Sequence, residues 1–263
     1  MSQSVRYDVE HGVARITLQR PAAYNSLNLE LLDQLAEAVA DADADAAVGG
    51  ILLTGEGRAF CAGGDVASLR QIADSPDPRG TASQGVDRMH RVLRTLFRCP
   101  KPVVAAVNGP TAGAGVGLML TADVVWAARS ASFTLAFTAI GASPDGGTTF
   151  LLPRAVGPKL AAELLLTNRT LDAEAARDAG LVTGVLDDDA LLDAAFAQAR
   201  ALAAGPSEAF ARAKELLRKS VYGGYDDQLD AERDSLAGAA ESDDFREGVS
   251  AFLEKRPPRF GPR

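Results

Sequence analysis

Residues 101–123 read KPVVAAVNGPTAGAGVGLMLTAD. Val103–Val107 is an unbroken apolar run of strand length, the pattern of a strand buried on both faces. It enters the glycine loop Asn108-Gly109-Pro110-Thr111-Ala112-Gly113-Ala114-Gly115, and a helix is expected from about Gly115. A second passage of the same kind lies upstream. There the short buried strand at residues 50–54 (GILLT) runs into a loop that ends Phe60-Cys61-Ala62-Gly63-Gly64-Asp65. Small residues let backbone approach a ligand closely, and N–H groups at a helix start point outward with the positive end of the dipole. Two such loops from neighbouring strands can aim two donors at one oxygen, as an oxyanion hole does. Taken singly, each also reads as an ordinary tight turn. Neither fits the phosphate-binding GxxxxGK[ST] pattern or the dinucleotide fingerprint.

Outward from these loops the chain alternates strands and helices. Residues 5–10 and 13–19 form a hairpin around His11-Gly12. Asn28 caps a helix to about Ala44, with Leu31, Leu32, Leu35, Ala36 and Val39 on its apolar side. Residues 74–83 (DSPDPRGTAS) read as a mobile connection, followed by a helix over 84–98 that stops before Cys99-Pro100. Strands are expected at 124–128 and near 132–136. After Gly157-Pro158 the pattern is helical, broken by one strand-like run at 181–186. Helical spacing continues over 191–202, 207–219, 226–240 and 243–255. The fold class is α/β with an all-helical C-terminal part.

Bulk properties narrow the function. The 263 residues carry a net charge of −8 with a pI near 4.9. Nucleic acid is excluded as a partner, because that needs a basic face. Any polyanionic ligand must be met by local cations and N–H dipoles. The two cysteines, Cys61 and Cys99, have no paired spacing and read as reduced thiols of a cytoplasmic protein. The N-terminal MSQSVRYDVE lacks the apolar core of a signal peptide, and no stretch reaches the ~18 apolar residues of a membrane span. His11 and His90 lack metal-ligand spacing, so no metal is expected.

FCAGGD and KPVVAAVNGPTAGAGVGLMLTAD resemble the two signature blocks of the crotonase (enoyl-CoA hydratase/isomerase) superfamily. So do the entry motif Arg20-Pro21 with Asn25-Ser26-Leu27-Asn28, and the segment 170–180 followed by Leu181-Val182. The likeness covers nearly the whole chain. It implies a spiral core of repeated ββα units over residues 1–200 and a helical trimerisation part over 201–263. The assembly it implies is a homotrimer or a hexamer built as a dimer of trimers. The implied substrate is an acyl-CoA thioester, with no separate cofactor because coenzyme A is part of the substrate. By resemblance, the N–H groups of Gly64 and Ala114 hold the thioester oxygen. The Ala62 backbone, in the loop with Gly63 and Asp65, contacts the adenine. Arg20, Ala22 and Ala23 lie along the pantetheine and phosphates. Arg58 is a further candidate cation, and Phe252 and Lys255 match the family's adenine and phosphate contacts.

Acid and base residues separate the family's reactions. Its hydratases carry two glutamates, and the matching positions here are Gly117 and Phe137, neither able to move a proton. One acid is placed instead, Asp145 in Ile140–Thr149 (IGASPDGGTT). By spacing alone it reads first as a helix cap. By resemblance it matches the single catalytic carboxylate of Δ3,Δ2-enoyl-CoA isomerases and of the ring-1,2-epoxyphenylacetyl-CoA isomerase branch, in fatty-acid and phenylacetate degradation. Two other readings stay open. In a 4-chlorobenzoyl-CoA dehalogenase-like hydrolase, Asp145 is the nucleophile and His90 activates water. In a non-catalytic acyl-CoA binder, loss of both glutamates leaves binding alone.

Overall fold

The computed structural model describes residues 3–220, together with 233, 236, 247, 251, 254–257 and 259. Strands β1 (Val5–Glu10) and β2 (Val13–Leu18) pair antiparallel, and His11 and Gly12 both take positive φ at the turn between them. Two left-handed residues in a row match the right-handed twist of the flanking strands. Helix α1 (Leu29–Ala44) is capped by Asn28, whose Oδ1 accepts from the Leu31 N–H at 2.9 Å. Strand β3 (Gly50–Gly55) follows, then helices α2 (Val66–Ala73) and α3 (Pro78–Arg98). Strand β4 (Val103–Val107), strand β5 (Thr111–Ala112) and helix α4 (Ala114–Met119) make the second glycine passage. Then come β6 (Val124–Ala128), β7 (Ser132–Thr134), α5 (Thr148–Val156), α6 (Pro158–Thr167), β8 (Leu171–Asp172), α7 (Ala173–Asp178), β9 (Gly184–Leu186), α8 (Leu191–Ala203) and α9 (Ser207–Ser220).

The main sheet runs β1-β2-β3-β4-β6-β9, and every pairing beyond the hairpin is parallel. Parallel strands covered on both faces need continuous apolar sequence. Val103–Val107 and Ile51, Leu52 and Leu53 supply it, all fully buried. Helix α8 closes one face through Ala195 and Ala199, and Gly50 lets it come close. A Cβ at Gly50 would stand 3.2 Å from the Ala199 carbonyl oxygen. Strands β5, β7 and β8 form a second, smaller sheet. Its two-residue strands escape periodicity, which needs at least two alternations to register.

Residues 74–83 depart from expectation. Helix α3 starts at Pro78, because Asp77 Oδ1 accepts from the Gly80 N–H at 3.0 Å and proline at the first helical position has no N–H to leave unpaired. The Pro- and Asp-rich composition is a helix start here rather than a break. The strand-like run at 181–186 narrows to β9. Helix α9 is tied to the core by Lys214, which reaches the Lys101 carbonyl and the Asp123 carboxylate. The helical spacing noted over 226–240 and 243–255 falls outside the described residues. No helix among the described residues is long and apolar enough to cross a membrane.

Candidate active site

The entry motif and the first glycine loop are built together. Leu27 donates its N–H to the Gly63 carbonyl at 2.7 Å and accepts from the Asp65 N–H at 3.1 Å. Backbone groups alternate direction along an extended strand. The N–H of Gly64 is therefore left on the edge facing away from Leu27. Asp65 is locked below: its Oδ1 caps α2 through the Ala67 and Ser68 N–H groups, and its Oδ2 takes Arg20 at 2.9 Å and the Ser26 hydroxyl at 3.1 Å. Burial alone would raise the Asp65 pKa, but Arg20, the Ser68 N–H and the Ser26 hydroxyl outweigh it and hold the carboxyl below its ordinary value.

This gives Arg20 a structural task beside the one its place in the motif implies. Its guanidinium holds Asp65 and the carbonyl of Ser26, so it is a strut under the glycine loop. Removing one partner of a largely buried charged pair leaves the other unsatisfied. Arg20→Met is expected to lower stability by roughly 2 kcal/mol. Asp65→Asn should do much the same, and the double variant should lose less than the sum. Denaturant unfolding of the four proteins measures this; additive losses would separate the two side chains.

The second loop lies against the first. Thr111 and Cys61 form a β-bridge in which the Ala112 N–H reaches the Cys61 carbonyl at 2.9 Å. Gly113 takes φ of +50° and opens α4 with no side-chain cap. Ala114 is thus the first helical residue, where N–H groups have no partner within the helix. Among the described residues, neither the Gly64 nor the Ala114 N–H donates to a protein acceptor. The contact is tight. A Cβ on Gly63 would lie 2.7 Å from the Ala112 carbonyl oxygen and 3.4 Å from the Ala114 nitrogen, and one on Gly115 would overlap the Cys61 carbonyl. Cys61 itself is fully enclosed, which pushes its thiol up to about 12 and keeps it inert.

Asp145 lies on a loop that bends through Gly146 and Gly147, both at positive φ. A Cβ on Gly146 would be 3.3 Å from the Ala114 Cα, so the loop presses on the start of α4. The capping alternative fails for this aspartate. Helix α5 has no side-chain cap, and Thr148 bonds the Asp145 backbone carbonyl through both N–H (3.1 Å) and hydroxyl (2.6 Å). The carboxylate stays uncommitted: Oδ1 is buried and accepts no hydrogen bond from the protein. Burial raises the Asp145 pKa, partly opposed by the charge of His90.

Gly117, where the family's hydratases carry a glutamate, faces the same loop. A side chain there would overlap the Gly146 carbonyl oxygen. Phe137, at the second glutamate position, is buried, and its ring lies 3.8 Å from where a Gly113 Cβ would be.

Several of the remaining expected contacts meet around Tyr24. Ala22 and Ala23 lie in a one-turn 3₁₀ segment, Pro21–Ala23. The Ala62 N–H is taken by the Tyr24 carbonyl at 3.0 Å, which leaves its own carbonyl for a ligand. Arg58 is exposed and stacks 4.3 Å over the Tyr24 ring. Lys255 is exposed with φ of +55°. Phe252 lies outside the described residues.

A family model for enoyl-CoA hydratase/isomerase matches residues 8–263. The chain belongs to that family. It is 43% identical over 261 residues, 99% of both chains, to 1,2-epoxyphenylacetyl-CoA isomerase of Escherichia coli (strain K12). It is 37% identical over 248 residues, 94% of both chains, to 2,3-dehydroadipyl-CoA hydratase of the same organism. A crystal structure from Mycobacterium abscessus, provisionally named an enoyl-CoA hydratase/isomerase, superposes with a TM-score of 0.94 at 36% identity. The match covers 98% of this chain and all of that one. The crotonase fold of the family and an enzymatic role within it are therefore established, and both isomerases and hydratases stand among the relatives.

Proposed function

We propose that the protein is an acyl-CoA isomerase that shifts a double bond, or opens a ring epoxide, through an enolate. The observation that carries this reading is Asp145: one buried carboxylate oxygen with no protein donor, on a loop whose next residue, Gly146, packs against Ala114. The thioester oxygen sits on the Gly64 and Ala114 N–H groups. Asp145 removes a proton from C2 of a 3-enoyl thioester and returns it to C4. The developing oxyanion binds the two donors more strongly than the ground-state carbonyl does, so the stabilisation is specific to the transition state. One carboxylate suffices because it is base first and acid second. Coenzyme A enters past Arg20, Ala22, Ala23, Ala62 and Arg58, with Phe252 and Lys255 as the adenine and phosphate contacts that the family resemblance implies, and no separate cofactor takes part. The working form is a cytoplasmic homotrimer or a dimer of trimers.

Hydration is disfavoured because it needs an acid at Gly117 or Phe137, and the Gly146 carbonyl occupies the space at Gly117. The deciding assay offers 3-enoyl-CoA and 2-enoyl-CoA side by side. Conversion of the first to its conjugated isomer, with no 3-hydroxyacyl product from the second, is expected. Hydration at comparable rate would overturn the reading. A pH dependence follows from the raised Asp145 pKa. The base must be ionised, so kcat/KM falls as pH drops through a value above the usual carboxylate range near 4. A pH–rate profile with its acid limb at or below 4 would contradict this.

The charge of His90 reaches Asp145, which keeps the dehalogenase-like hydrolysis in view as a second reading. Release of halide from a 4-halobenzoyl-CoA separates the two.

A further inference from the structure

A cavity of about 270 Å³ opens beyond the Asp145 loop. One wall is a single face of α3, carrying His90, Leu93, Arg94 and Phe97 at helical spacing. Gly146 and Gly147 with Phe150 and Leu151 make the opposite wall. The volume falls just under the roughly 300–1,000 Å³ of whole small-molecule pockets, so it suits one end of a ligand. Gly146 joins it to the reaction centre, since this residue touches Ala114 on one side and lines the cavity on the other. An acyl chain running from the two N–H donors past Asp145 meets this space next.

The lining is apolar below and cationic at its rim. Leu93, Phe97, Phe150 and Leu151 give a greasy channel. His90 and Arg94 line it, the Arg154 guanidinium stacks 3.7 Å from the Phe150 ring, and Arg218 reaches the Phe97 carbonyl at 3.1 Å. Among the described residues no carboxylate lines the cavity, although the chain as a whole is at −8. Among the described residues, neither His90 nor Arg94 forms an ion pair. The charge of His90 is shared with the buried Asp145, so Arg94 is the lining cation left to raise the local concentration of an anionic group. A greasy channel with a positive end fits a chain that is hydrocarbon first and anionic last.

We propose that this cavity holds the distal end of the acyl group and selects chains that end in a second carboxylate, with Arg94 as the principal contact and His90 in support. The proposal rests on the orientation of the thioester given above. Two 3-enoyl-CoA thioesters of equal chain length test it, one ending in a methyl group and the other in a carboxylate. The native enzyme should favour the carboxylate by about tenfold in kcat/KM, the scale of one charge-assisted hydrogen bond. The preference should shrink with added salt. In Arg94→Gln the ratio should fall to near one. Equal use of both substrates by the native enzyme, or an unchanged ratio in the variant, would overturn the proposal. Calorimetric binding of the saturated analogues reads the same ratio without turnover. Absence of isomerisation with a tenfold binding preference for the carboxylate would sink the reaction and keep the subsite.

Discussion

Asp145→Asn is expected to lower kcat for isomerisation of a 3-enoyl-CoA by about a thousandfold, within the 10²–10⁴ range of a positioned proton-transfer group. KM should change little, because the asparagine keeps the shape and the thioester still rests on backbone donors. Exchange of the C2 proton in deuterated water should disappear with turnover. The same variant should be at least as stable as the native protein at neutral pH. Burial raises the native carboxyl's pKa, so the unfolded chain gives up this proton more readily. Stability is therefore lost as pH rises from the ordinary value through the folded one, and asparagine removes that loss. A thermal melt at pH 7 checks the sign. Retained turnover in Asp145→Asn would remove the carboxylate from the mechanism altogether.

The second large effect concerns an atom rather than a side chain. Ala114 is the first residue of α4, preceded by Gly113. Proline is well tolerated at that position because its missing N–H had no helical partner. Ala114→Pro thus deletes one donor while leaving the helix start in place. Loss of one oxyanion donor is worth about 10²–10³ in kcat. Thermal stability should stay close to native, while the ring methylene, set where the N–H pointed, should weaken acyl-CoA binding along with kcat. A variant retaining native kcat would show that the Ala114 N–H does not hold the oxygen. Steady-state kinetics with a calorimetric Kd for a saturated thioester provides the comparison.

Much of this site was legible along the chain. The glycine blocks Phe60–Asp65 and Asn108–Gly115 announce two loops after buried strands, and the structure sets them in contact through the Thr111–Cys61 bridge. Strand β4 and helix α1 were readable because apolar runs and a capping asparagine are local signals. The start of α3 was missed because Asp77-Pro78 carries a turn signal and a helix-start signal at once. Only the chain after it, with Met89, Val92, Leu93 and Leu96 buried, decides which one applies.

Sequence by itself determined which loops can bring bare N–H groups to a ligand, and that Gly117 and Phe137 cannot act as acids. Those facts rest on residue type and neighbours a few positions away. Tertiary structure alone decided how three side chains are used. Arg20 meets an aspartate 45 positions later in the chain. Asp145 is released from capping by a threonine that takes its backbone carbonyl instead. Arg94 faces a cavity whose other wall comes from α5. A charged group's role is set by which opposite charge or donor it meets in space. For these residues that partner lies beyond the reach of any local pattern.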